Sequence, residues 1–283
     1  MIPVAQLKQN LQFSDSLRGI IDVLKIAASV QLRQMQSKTY LYEPFANHVA
    51  DSLRLLDVAG TSHPFLVDRG EERPACLVVL TANEGFSGGL NAMLINATLD
   101  ARNRARGDEL VVLGERGASA LEELNESFVY IAQGAEEIDR TAVHQLQGYL
   151  VNEYLSGKFG RIRVVYAKFV NIAFQQVEQE QLLPTRATSP SETPSPRRAC
   201  FIEPSADRVI EGLVSLWLEF TLAKMLVSSK LSEFSARVMH LEGSDQELSR
   251  MTQQLAFQYA KHLHLLADKA IREISTSRLK VAH

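Results

Sequence analysis

The chain has 283 residues, long enough for one large domain or two modest ones with a sizeable core. Hydrophobic residues make up 46% and charged residues 22%, and the formal net charge is -3, so no global basic field points to nucleic acid as the main partner. The two cysteines, Cys76 and Cys200, stand in neither a CxxC nor a zinc spacing, which argues against a disulfide framework and fits a reduced compartment.

Met1 to Leu7 lacks a basic stretch followed by an apolar run, so no signal peptide is expected there. The most apolar long stretch, Val209 to Val227, carries Glu211, Glu219 and Lys224. Each such charge costs about 2.5–3.5 kcal/mol at a bilayer centre, which makes a membrane span unfavourable. A soluble protein able to dock on something membrane-bound is expected.

The first segment, Val4 to Val58, reads as helix. Leu7, Leu11, Leu17, Ile21, Leu24, Ala28, Leu32 and Met35 recur mostly at steps of three and four, with a gap at Ser14. Pro44 is expected to kink or briefly interrupt the helix, after which Phe45, Val49, Leu53 and Leu56 resume the pattern, and Gly60 ends it.

The period then changes. Ala75 to Leu80 is a continuous apolar run, the pattern of a strand buried on both faces. The turn Gly85-Phe86-Ser87-Gly88-Gly89 leads into a helix from Leu90 to about Arg104. Strands at Glu109–Leu113, Phe128–Ala132 and Arg161–Val170 alternate with helices at Ala118–Leu124 and Asp139–Leu155. This alternation predicts a small, mainly parallel sheet of about four strands. Pro184 to Pro204 holds five of the nine prolines and reads as a solvated loop or arm.

The last segment, Ser205 to about Val281, has no proline and two glycines, Gly212 and Gly243. Leu213, Trp217, Phe220, Ala223, Val227, Leu231, Phe234, Val238 and Leu241 form a stripe at steps of three and four. Leu248, Met251, Leu255, Tyr259, Leu263, Leu266, Ala270 and Ile274 continue it. One helix of this length would run to roughly 110 Å. A small domain cannot cover such a helix, so it must pair with the other long one. The reading is a mixed α+β and α/β chain. A long antiparallel coiled coil of the N- and C-terminal helices carries a small Rossmann-like α/β domain. Its parts are residues 1–60, 74–172, an arm at 173–204, and 205–283, with an unpaired tip on the longer C-terminal helix.

Chemistry is sparse. Gly85-Phe86-Ser87-Gly88-Gly89 matches the G-x-S-x-G turn of hydrolases, with Ser87 as a nucleophile and Asp139 and His144 as its partners. The short sheet and the placing of His144 inside a helix oppose this reading. The same turn opens a helix, where backbone N–H groups can meet phosphate, yet it lacks both the Gly-Lys-Ser/Thr ending and G-x-G-x-x-G. His240, His262, His264 and His283 are not spaced for a metal on one helix face. No catalytic residue, cofactor or metal ligand is assigned.

Three stretches in family order resemble the gamma subunit of F-type ATP synthases. Leu77 to Asn91 is similar to the family's apolar strand followed by Thr-Ser-Asp-(Arg/Lys)-Gly-Leu-Cys-Gly-Gly-x-Asn, covering Gly85, Ser87, Gly88, Gly89 and Asn91, with serine for the family's cysteine. Leu231 to Met239 is similar to Ala-Ser-Glu-x-x-Ala-Arg-Met, and Ile20 to Gln36 aligns more loosely, through Ile20, Ala28, Leu32 and Arg33.

The resemblance implies a non-catalytic central-stalk rotor of a rotary motor, linking ion transport by a c ring to ATP synthesis or hydrolysis in a ring of alpha and beta subunits. It implies alpha, beta, epsilon and c subunits as partners. The location it implies is peripheral to the membrane, on the cytoplasmic side of a bacterial inner membrane. Lys25, Arg33, Arg237, Tyr259 and Lys261 are the expected polar contacts to the ring, and the glycine turn belongs to the foot domain. Near the end the family's Arg-Gln pair is replaced by Leu263-His264, which implies a divergent branch. A non-rotary coiled-coil adaptor is the competing reading, and a serine hydrolase using Ser87 is a third.

Overall fold

The computed structural model describes residues 3–57, 63–70, 72–132, 140–185 and 203–281. Their order is α1 (Val4–Asp57), β1 (Ala75–Leu80), α2 (Leu90–Ala101), β2 (Glu109–Leu113), α3 (Glu115–Glu123), β3 (Phe128–Ile131), α4 (Arg140–Leu155), β4 (Arg161–Phe169), β5 (Gln175–Leu183) and α5 (Ala206–Val281). The residues group into two compact units, one of 1–27 with 239–283 and one of 28–238.

Helix α1 runs through Pro44 without a break, in place of the expected interruption. Proline removes one hydrogen bond and crowds the preceding turn, a local cost that burial of the helix on both sides of it offsets. Ala46 and Leu53 are buried beyond the proline, and the ring of Phe45 stacks on Phe220 of α5 with centroids 5.0 Å apart.

In the unit of 28–238 the strands form one sheet in the order β3-β2-β1-β4-β5. Strands β1, β2, β3 and β4 are parallel neighbours, and β5 pairs antiparallel with β4. The four-strand expectation is corrected by β5, which takes residues 175–183 out of the predicted arm. Most of the arm's remaining residues, 186–202, lie outside the described ones.

Alternation along β1 divides the core into two. Leu77 and Val79 face a cluster with Leu90, Leu94 and Ile95 of α2 and Leu121 of α3. Cys76, Val78 and Leu80 face a cluster with Leu146 and Leu150 of α4, Leu32, Met35 and Leu53 of α1, and Leu222, Leu226 and Phe234 of α5. A strand whose side chains are buried on both faces must be apolar throughout, which is why β1 lacks polar alternation. The helix connecting β1 to β2 lies on one face and the helix connecting β3 to β4 on the other, so the winding reverses between β1 and β4.

In the unit of 1–27 and 239–283, Lys25 meets Glu242 while Arg18 meets Asp245, so the two helices run antiparallel. The residues they bury lie seven apart: Leu7, Ser14 and Ile21 on α1, Leu241 and Leu248 on α5. This is the period of a left-handed coiled-coil seam. Ser14, the gap in the apolar pattern, occupies a seam position with its hydroxyl donating to the Asn10 carbonyl at 2.9 Å. From Leu263 to Ile274 every residue is exposed, as in a helix that has outrun its partner.

Candidate functional site: the glycine turn and the helix packed against it

Strand β1 ends at Leu80, and the chain must turn sharply to enter α2. Gly88, at φ 59°, takes the left-handed conformation that glycine tolerates, and Phe86 adopts it too, at φ 63°. For a side-chain-bearing residue that backbone costs about 1–2 kcal/mol, so neighbouring bonds must hold the turn. Asn91 supplies two of them. Its Oδ1 accepts the Ala82 N–H at 3.0 Å, and its Nδ2 donates to Ser87 Oγ at 3.2 Å. The next crossing is pinned by Thr81, whose hydroxyl donates to the Leu113 carbonyl at 2.7 Å and accepts from the Gly117 N–H at 3.1 Å.

Ser87 is 4% exposed and bound to Asn91, while His144 belongs to α4 on the opposite face from α2 and faces Glu219 at 3.9 Å. Asp139 lies outside the described residues. The described geometry therefore gives Ser87 an amide for a partner where a nucleophile needs a base. No group of three or more His, Cys, Asp and Glu is arranged for a metal among the described residues.

The turn meets α5. Arg237 donates from Nε to the Gly85 carbonyl at 3.1 Å, from a second nitrogen to Glu233 at 2.6 Å, and faces Glu84 at 3.2 Å. Lys230 Nζ binds the other Glu233 oxygen at 3.0 Å. The side chains of Lys230, Glu233 and Arg237 are each about 5% exposed or less. Both cations flank the Phe234 ring, at 6.0 and 5.6 Å from its centroid. Buried charge is tolerated only when paired and hydrogen-bonded, as here.

Three serines of α5 reach the sheet's carboxyl edge. Ser229 donates to the Leu80 carbonyl at 3.4 Å, and Ser232 donates to the Ala167 carbonyl at 3.0 Å. Ser228 accepts the Phe169 N–H at 2.9 Å. Pairing of β4 with β1 stops at Val165, so the Ala167 carbonyl has no strand partner on that side and takes a serine.

The expected site residues have different surroundings. Arg237 has its donors turned inward, in place of the outward contact expected of it. Lys25 is bound across the coil to Glu242 at 3.0 Å, and this bond raises its pKa above 10.5. Arg33 and Lys261 are exposed and Tyr259 is half-buried. The serines at 228, 229 and 232 were missed. Their signal was a polar Ser-Ser-Lys-Leu-Ser-Glu run directly after the most apolar stretch of a long helix.

A doubly wound α/β sheet whose two flanking long helices pair antiparallel defines the class: this is the fold of ATP synthase central stalks. A mitochondrial ATP synthase structure from Euglena gracilis, solved as OSCP/F1/c-ring, contains a chain that superposes with a TM-score of 0.72 at 13% identity, covering 98% of this chain and 94% of that one. The central stalk and c-ring structure from Tetrahymena thermophila gives 0.62 at 16% identity, over 80% and 99%. The family model described as ATP synthase matches residues 4–263. Among curated relatives, the ATP synthase gamma chain of Pelotomaculum thermopropionicum is 27% identical, and that of Desulforamulus reducens 24%, each over 97% of both chains. The chain belongs to the ATP synthase family, as a gamma-type chain of the central stalk.

Proposed function

We infer that this chain is the rotor that couples rotation of an ion-driven c ring to ATP synthesis or hydrolysis in a ring of alpha and beta subunits. The observation that carries the reading is the antiparallel coil with its seven-residue seam, in a chain matching gamma chains from end to end. A rotor acts on the ring only through contact free energies that differ between the conformations of the beta subunits. Such contacts require an outer surface left over after the coil has buried its own seam. Phe13, Ile20 and Val23 on α1 and Phe257 on α5 are between 57% and 72% exposed, and Arg33 and Lys261 are exposed beside polar neighbours.

The proposed partners are alpha and beta subunits around the coil, with an epsilon subunit and the c ring at the α/β domain. The proposed ring contacts are Lys25, Arg33, Tyr259 and Lys261. Among the described residues no helix is long and apolar enough to cross a membrane. Attachment is therefore proposed to be peripheral, through the complex, on the cytoplasmic side of a bacterial inner membrane. The test is reconstitution with cognate alpha and beta subunits, followed by single-molecule recording of a bead on the α/β domain. ATP-driven rotation in steps is the expected result, and failure of the chain to enter the alpha–beta complex overturns the reading.

A further inference from the structure

Open, doubly wound sheets bind ligands in the crevice at the carboxyl ends of the strands, where the winding reverses. Here that point lies between β1 and β4, and α5 occupies it. Ser229 bonds to the end of β1, Ser232 and Ser228 to the end of β4, and Arg237 to the turn after β1. These four residues lie within three turns of one helix. We propose that this strip is a mechanical joint, a hydrogen-bonded weld that fixes the rotational angle of α5 against the sheet and carries torque between them. The inference rests on the rotor reading and assigns the joint within it.

Apolar packing is non-directional and permits a helix to roll in its groove at modest cost, whereas a hydrogen bond weakens steeply as donor and acceptor leave alignment. The segment of α5 from Thr221 to Ser235 is buried except at Lys224 and Ser228, so an apolar sequence would have served burial alone. Instead it sets Ser228, Ser229 and Ser232 against backbone groups at the strand ends and hydrogen-bonds them. The bonds point to two different strands, and a roll of the helix in either direction breaks one set.

A control lies in the same stretch. Ser235 is fully buried, and its hydroxyl has no hydrogen-bond partner among the described residues. Removing that hydroxyl changes the same atoms without touching the joint.

The experiment uses the reconstituted complex, with the alpha–beta ring immobilised and held in one inhibited dwell, and a bead on the α/β domain. The angular variance of the bead reports the compliance of the rotor. Loss of four directional bonds in the combined Ser228→Ala, Ser229→Ala and Ser232→Ala variant is expected to raise the variance about twofold. Ser235→Ala is expected to leave it at the wild-type value, and each single serine variant to fall between. Should the triple variant fail to assemble, Ser228→Ala and Ser232→Ala alone decide the matter by the same readout. Variance equal in these variants and in Ser235→Ala overturns the joint while leaving the rotor reading intact. A wild-type complex that does not rotate overturns the rotor reading instead.

Discussion

The Arg237 guanidinium donates to the carbonyl of Gly85 at 3.1 Å across 152 residues of sequence. The contact joins the two most specific stretches of the chain, the glycine turn and the Ser-Glu-x-x-Ala-Arg motif of α5. Each stretch makes sense through the other: the turn exposes a carbonyl, and the helix delivers a buried cation already held by Glu233.

Glu233 is the keystone of that arrangement, since it accepts from both Lys230 and Arg237. Glu233→Gln takes the countercharge from buried Lys230 and leaves Arg237 facing only the exposed Glu84 carboxylate, and is expected to cost about 3–5 kcal/mol. Arg237→Met leaves Glu233 paired with Lys230 and is expected to cost less, about 1–3 kcal/mol. Denaturant unfolding of the full chain measures both, and equal losses would contradict the assignment.

The glycine turn is structural, and its two polar residues separate the possibilities. Ser87→Ala is expected to leave ATP hydrolysis by the reconstituted complex unchanged. Asn91→Ala removes the acceptor of the Ala82 N–H as well as the bond to Ser87, and is expected to destabilise the chain by about 1–3 kcal/mol. Abolition of activity by Ser87→Ala with the fold intact would restore the nucleophile reading.

Two glycines that look alike in sequence should respond differently. At Gly114, with φ 102°, an added Cβ would lie 2.2 Å from the Thr81 carbonyl oxygen, a clash with backbone that no side-chain rotation relieves. Gly114→Ala is expected to cost at least about 3 kcal/mol or to prevent folding. At Gly89 an added Cβ meets nothing within 4 Å and φ is -83°. Gly89→Ala should therefore shift stability by about 0.5 kcal/mol or less. Thermal melts of the two variants provide the comparison.

The Lys25–Glu242 bond gives the coil a pH-dependent coupling. The bond with Glu242 raises Lys25 above 10.5, and the bond with Lys25 lowers Glu242 below 4.5. A raised lysine contributes stability below its unfolded pKa and loses it as pH rises through the folded value. A lowered carboxyl contributes above its unfolded pKa and loses it as pH falls through the folded value. The coupling should be constant between about pH 5 and 10 and vanish at both extremes. A double-mutant cycle with Lys25→Ala and Glu242→Ala, run at pH 7 and pH 3, tests this. High salt should reduce the coupling as well, because the pair is on the surface.

The sequence by itself determined the long elements. A helical period sustained over tens of residues is a local signal, and so is an apolar run such as Ala75–Leu80, so α1, α5 and β1 were legible without contacts. The family likeness was legible for the same reason, resting on short contiguous stretches.

Tertiary structure alone decided the remainder. Gln175–Leu183 is rich in Gln and Glu and gives no apolar alternation. It is a strand because the free edge of β4 pairs with it, and edge pairing is satisfied by backbone groups that every residue carries. Arg237 was expected to reach outward, and it lies inside because the Gly85 carbonyl and Glu233 are there to receive it. Ser228 and Ser229 carry no assignment in sequence, and Ser232 only a place in the Ser-Glu-x-x-Ala-Arg motif, until β1 and β4 end against them. A polar side chain states in sequence only that it needs a partner. Which partner it finds depends on atoms brought near by the fold, some of them more than a hundred residues away.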